Sequence, residues 1–127
     1  MSGARLFRGY DFDLTPGERG ANVVAAVNGA VSKGLGGGIG VFENCSIPWT
    51  VTYDEILYGI DGTMRVIVAG EIHELGPGDI LWLPAGTELV YEADAKSTFF
   101  FAVNPAANSP SGAKADAHPT VAPRKVS

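Results

Sequence analysis

Between Tyr53 and Leu89 the chain reverses direction at short, regular intervals, and each reversal is written in glycine or proline. Asp61-Gly62 closes the first apolar run, Ala69-Gly70 the second, Gly76-Pro77-Gly78-Asp79 the third and Pro84-Ala85-Gly86 the fourth. Glycine, and the small polar residue beside it, supply the positive φ that tight turns demand. Strands joined by loops this short pair antiparallel, because parallel neighbours need a crossover of a dozen residues or more. The spacing therefore predicts an all-β barrel or sandwich. A chain of 127 residues forms one such domain.

Outside this ladder the readings are simpler. Residues 1–20 read as an irregular N-terminal segment, 21–105 as the barrel, and 106–127, rich in Ala, Pro, Ser and Lys, as an extended or disordered arm. Ala21 to Val31 reads as an edge strand. The run from Lys33 to Gly40 lacks the Gly-Lys-Ser/Thr of a phosphate loop, and Ile39 breaks the dinucleotide spacing, so it reads as a strand along which backbones approach closely.

From Trp49 to Glu55 alternation is regular and places Trp49, Val51, Tyr53, Glu55 and Leu57 on one face. Phe99-Phe100-Phe101 reads as core with one outward ring. Trp82, between two leucines, can face either way; facing inward it is a candidate pocket wall. Ile56, Tyr58 and Ile60, with Ile67, point the other way and predict an apolar outer patch, hence a homodimer.

Charge excludes some partners. A formal charge of −5 leaves no basic stripe to displace counterions from a phosphate backbone, so no nucleic-acid partner is expected. No apolar run approaches the length of a membrane span, so no membrane partner is expected, and one cysteine, Cys45, suits a reducing compartment. A cytoplasmic location follows as the expectation.

The glycine and proline spacing resembles that of the cupin superfamily, barrels of the double-stranded β-helix or jelly-roll type. Glu55 and Gly62 match the end of the first cupin motif; Gly78, Pro84 and Gly86 match the second. The resemblance implies that fold over roughly residues 40–104. It would also imply a metal held by three histidines and the glutamate, but Trp49 and Val51 occupy two histidine places and Leu89 the third; the longer spacing gives Pro48 and Thr50. Only Glu55 remains as a donor, so no metal and no other cofactor is expected at that position. A third reading would draw unusual ligands from Glu43, Glu55, His73 and Glu88.

Within the cupins, the run Pro48 to Glu55 with Gly76-Pro77-Gly78-Asp79 and Pro84-Ala85-Gly86-Thr87 resembles the EutQ proteins of ethanolamine utilisation, which likewise lack the metal histidines. That resemblance implies ethanolamine breakdown in bacterial microcompartments and an acetate-kinase-like activity.

The residues themselves point to an apolar lumen with one carboxylate. Desolvation disfavours the charged form of a carboxylate so placed, which suits general acid–base work. Glu55 is the candidate proton carrier, Tyr53 or Tyr91 the group that polarises a substrate oxygen, and Trp49, Val51, Leu57, Leu89 and Trp82 the walls around a small polar metabolite. Isomerisation, epimerisation or elimination would fit. The bland alternative is a cupin without catalysis that binds a small ligand or steadies a partner enzyme, its glutamate paired internally.

Overall fold

A computed structural model describes residues 3–17, 19–106 and 124–125. Two five-stranded antiparallel sheets face each other. The first runs in the order β1 (Ala21–Val27), β2 (Gly36–Phe42), β9 (Ser97–Asn104), β4 (Asp54–Asp61), β7 (Ile80–Leu83). The second runs β10 (Arg124–Lys125), β3 (Cys45–Thr50), β8 (Glu88–Ala93), β5 (Met64–Val68), β6 (Glu71–Leu75). Among the described residues the only helical piece is a 3-10 turn at Gly9–Asp11, and no helix is long and apolar enough to cross a membrane.

The turns differ from expectation in what they join. Asp61-Gly62 has the predicted positive φ at Gly62, +73°, yet it does not close a hairpin: β4 lies in the first sheet and β5 in the second. Only Ala69-Gly70, between β5 and β6, and the link from β1 to β2 join neighbours within a sheet. Every other connection from β2 to β9 carries the chain across, which is the double-stranded β-helix of a jelly roll. A turn's local chemistry fixes its backbone angles, but the sheet that receives the next strand is set by long-range burial.

The predicted continuous strand from Trp49 to Glu55 is likewise broken at residues 51–53, where β3 of one sheet hands over to β4 of the other. The alternation survives the corner because both sheets present the same inner side to one core. Val51, Tyr53, Glu55 and Leu57 are all buried, and Trp49 is partly so.

Aromatic rings fill the centre. Phe42 lies 5.0 Å from Phe99 and 5.4 Å from Tyr91, centroid to centroid, in tilted contacts that favour ring edges against faces. Phe99 and Phe101 point inward and Phe100 outward, as the triplet predicts. Gly40 pairs with Phe99, and a Cβ there would stand 2.3 Å from the Phe99 ring, so the glycine is what admits the ring.

Ile67 does not join the patch of Ile56, Tyr58 and Ile60: those three lie outside the first sheet, Ile67 outside the second and half-buried. The expectation for 106–127 lies largely outside the described residues. Of the described residues in that range, Arg124 and Lys125 pair with Ser46 and Cys45, and Ala106 is buried.

Candidate functional site

The two segments that carry the cupin resemblance are sewn together. At the corner between β3 and β4, the Val51 N–H donates to the Thr87 carbonyl (3.0 Å) and the Gly86 N–H to the Val51 carbonyl (2.7 Å). Asp54 accepts from the Ala85 N–H through Oδ1 at 2.9 Å, and the Thr87 hydroxyl closes the turn by donating to the Pro84 carbonyl at 2.7 Å. Gly59 of β4 is gripped in the same way by the other turn, donating to the Asp79 carbonyl (3.0 Å) and accepting from the Gly78 N–H (2.9 Å). The strand that bears Glu55 is thus held at both ends by the turns that follow it in sequence. Asp54 is a positioning residue that the alternation pattern missed, since it points outward. Its sequence signal is the Asn/Asp habit of accepting backbone N–H groups at chain reversals.

Glu55 is fully buried. It stands between Leu83 and Val103 in the sheet, and Tyr91 reaches it from β8 of the opposite sheet. The Tyr91 O–H donates to Glu55 Oε1 at 3.0 Å. Burial, first, and then the nearby Glu55 and Tyr53 hold the Tyr91 hydroxyl well above its usual range, so Tyr91 remains a donor at any ordinary pH. Tyr53, 5 % exposed, occupies the corner, and the Trp49 indole N–H donates to its oxygen at 3.3 Å. Glu55, Tyr91, Tyr53 and Trp49 therefore form one polar thread running outward from the centre.

Val51, Leu57 and Leu89 pack around this thread and contribute only hydrocarbon. Trp82 does not. Its Cα partner is Ile56, whereas the next residue, Leu83, pairs with Glu55; register therefore turns Leu83 inward and leaves Trp82 on the outside, 55 % exposed. It is no wall of this site. The surroundings of Glu55 are closed to solvent: of the inner set, Trp49 alone is more than marginally exposed.

The chemistry of the donor set does not fit a cupin metal. Val51 and Leu89 have no ligand atom, and the Trp49 ring nitrogen donates a hydrogen bond rather than offering a lone pair. The alternative ligands do not gather either. His73 faces Glu71 at 3.4 Å on β6, Glu43 and Glu88 are exposed, and no group of three or more His, Cys, Asp or Glu comes together among the described residues.

Two sheets exchanging strands at nearly every turn, with a glutamate aimed inward from the first motif and clamped by the second, define a cupin domain. The model of the family described as ethanolamine utilisation protein EutQ matches residues 13–110, and the chain belongs to that family. Acetate kinase EutQ of Clostridioides difficile (strain 630) is 31 % identical over 75 residues, covering 59 % of this chain and 48 % of that protein. The chain spans about half the length, or less, of the curated relatives it matches. Among solved structures, the Clostridium difficile EutQ protein superposes with a TM-score of 0.65 at 27 % identity, covering 68 % of this chain and 63 % of that one. A putative ethanolamine utilisation protein from Salmonella typhimurium LT2 gives 0.74 at 21 % identity, covering 82 % and 88 %, a likeness of fold alone.

Proposed function

We propose that this EutQ-family cupin binds a small polar metabolite inside the barrel, in the cytoplasm, and exchanges a proton with it through Glu55 without a metal ion, in an isomerase, epimerase or lyase type of reaction. The observation that carries the reading is the Tyr91–Glu55 pair, an O–H kept protonated by burial 3.0 Å from a carboxyl oxygen in an apolar interior. A carbonyl or hydroxyl oxygen brought to the pair takes the Tyr91 donor for itself, and Glu55, relieved of that bond, is within reach of the neighbouring C–H or O–H proton. Trp49 is the entrance: a ligand must displace its ring from Tyr53 to reach the pair. The relatives' description as acetate kinases makes a short carboxylate the first ligand to try.

One observation favours a second reading, a non-catalytic cupin: Glu55 and Tyr91 hydrogen-bond to each other and neither reaches solvent, which is how buried polar groups behave when they serve the fold. Calorimetric titration of acetate and of small hydroxy and keto acids into wild type, Trp49→Ala and Glu55→Gln distinguishes the two. Turnover lost in Glu55→Gln with circular dichroism and affinity retained supports the acid–base role. Turnover untouched by that change refutes it, binding without turnover supports the second reading, and stoichiometric iron, nickel, zinc or manganese in the purified protein overturns the metal-free reading.

A further inference from the structure

The outer face of the second sheet is striped. Pro48 of β3, Val90 of β8, Ile67 of β5 and Ile72 of β6 are cross-strand partners in turn, so one apolar row runs over four strands. Their chain neighbours Ile47, Tyr91 and Val66 are buried, which fixes the row on the outside. The adjacent outward row is charged: Ser46 pairs with Glu92, Glu92 with Arg65 and Arg65 with Glu74. Glu92 is held by the Ser46 hydroxyl (3.2 Å) and by Arg65 (3.2 Å), and Arg65 also bridges Asp94 (3.0 Å). On the opposite flank Thr50 pairs with Glu88. The apolar row therefore lies between acidic borders, Glu88 on one side and Glu74, Glu92 and Asp94 on the other, with Arg65 as the cation among them.

The row is also sunken. Val90 and Ile67 are half-buried, and with Pro48 they floor a cleft of about 360 Å³ bordered by Thr50, Glu88 and the Ala69-Gly70 turn. Strands in a sheet lie about 4.8 Å apart and one turn of α-helix rises about 5.4 Å, so a helix laid across the strands presents one side chain per strand. Apolar residues at i, i+4, i+7 and i+11 of such a helix stand over Ile72, Ile67, Val90 and Pro48 in turn. An extended segment, whose same-side residues are about 6.8 Å apart, falls out of step within two strands. A basic piece of chain already lies along the edge of this face: β10 pairs with β3 there, and Arg124 falls opposite Ser46, on the row of Glu92.

We propose that this face docks an amphipathic α-helix of a partner protein, its apolar stripe seated in the row and its flanking lysines or arginines over Glu88 on one side and Glu92 and Glu74 on the other. The acidic borders repel an acidic partner and make the association weaken with salt.

Fluorescence anisotropy on the full chain tests this with a labelled, end-blocked peptide of about 15 residues that carries leucine at i, i+4, i+7 and i+11, lysine beside that stripe and alanine elsewhere. Saturable binding is expected, with a dissociation constant on the order of 10 μM at about 50 mM salt and at least about 10-fold weaker at about 500 mM. Ile72→Lys is expected to weaken binding at least about 10-fold and Glu88→Lys about 3-fold, each with unchanged far-ultraviolet circular dichroism. Ile80→Lys, comparably exposed but on the first sheet, is expected to leave it unchanged. Absence of saturation at about 500 μM peptide overturns the proposal. Equal binding of a peptide with the same composition but its leucines scattered around the helix overturns it too, since charge attraction alone is then at work. Equal binding of a peptide broken by a central proline points to an extended occupant and overturns the helix, as does a loss caused by Ile80→Lys and not by Ile72→Lys.

Discussion

Replacing Tyr91 with phenylalanine removes one oxygen atom and little else, because the ring keeps its place 5.4 Å from Phe42. What is lost is the O–H that donates to Glu55 Oε1 at 3.0 Å, between two side chains with no access to water. A hydrogen bond between neutral groups contributes about 0.5–1.5 kcal/mol and one to an ionised group about 1.5–3 kcal/mol. Water cannot replace the donor, so the loss belongs in the upper part of that span, about 2 kcal/mol. For a domain of this size roughly 3–5 °C of Tm accompanies each kcal/mol, so Tyr91→Phe is expected to melt about 6–10 °C lower and to unfold at lower urea with an unchanged m-value. The sign of the pH dependence follows from linkage. Burial holds the Tyr91 hydroxyl well above the ordinary phenol value of 10.0 in the fold, so this group's contribution is complete below pH 10. It falls as pH rises beyond that, where the unfolded chain releases the proton and the fold retains it. The gap between wild type and Tyr91→Phe should therefore narrow above pH 10. A Tyr91→Phe protein within about 0.5 kcal/mol of wild type at neutral pH refutes the assigned pair.

Other consequences are open to simpler measurements. Asp54→Ala removes the acceptor for the Ala85 N–H and is expected to cost about 1 kcal/mol in urea unfolding and, if Glu55 is catalytic, to lower kcat more than it raises KM; Asp54→Asn should recover most of both. Gly40→Ala drives a methyl group into the Phe99 ring and is expected to cost about 1–3 kcal/mol with an altered near-ultraviolet spectrum, whereas Gly70→Asn, at a positive-φ turn with open space around it, should be close to neutral. Cys45 is buried and its thiol is pushed above the usual range chiefly by that burial, so labelling by a thiol reagent at pH 8 should await unfolding; rapid labelling of the native protein would contradict the packing of β3.

What the sequence disclosed, and what it withheld, follows from range. Gly62, Gly70, Gly78 and Gly86 all have the positive φ that their turn positions predict, since a turn is decided within a few residues. Inward-facing residues from Val51 to Leu57 were legible because strand parity persists across a corner when both sheets share one interior. The destination of each turn was not, as Asp61-Gly62 shows. Trp82 was ambiguous because Leu81 and Leu83 flank it and every position of β7 is apolar; only its pairing with Ile56 decides the matter. Glu55 could be recognised from its motif, while its contact with Tyr91 depends on two sheets meeting and leaves no local trace.

The chain's habit of alternating between the sheets has a kinetic consequence. Neither layer can assemble from a contiguous stretch, because β4 needs β9 and β7 beside it and β3 needs β8, partners that arrive only after the intervening segments have been laid down opposite. Refolding should therefore be governed by the closure of long loops and fall toward the slow, millisecond-to-second end expected of such topologies. During synthesis the nascent barrel must wait for β8 and β9 before any part of it gains lasting protection from hydrogen exchange.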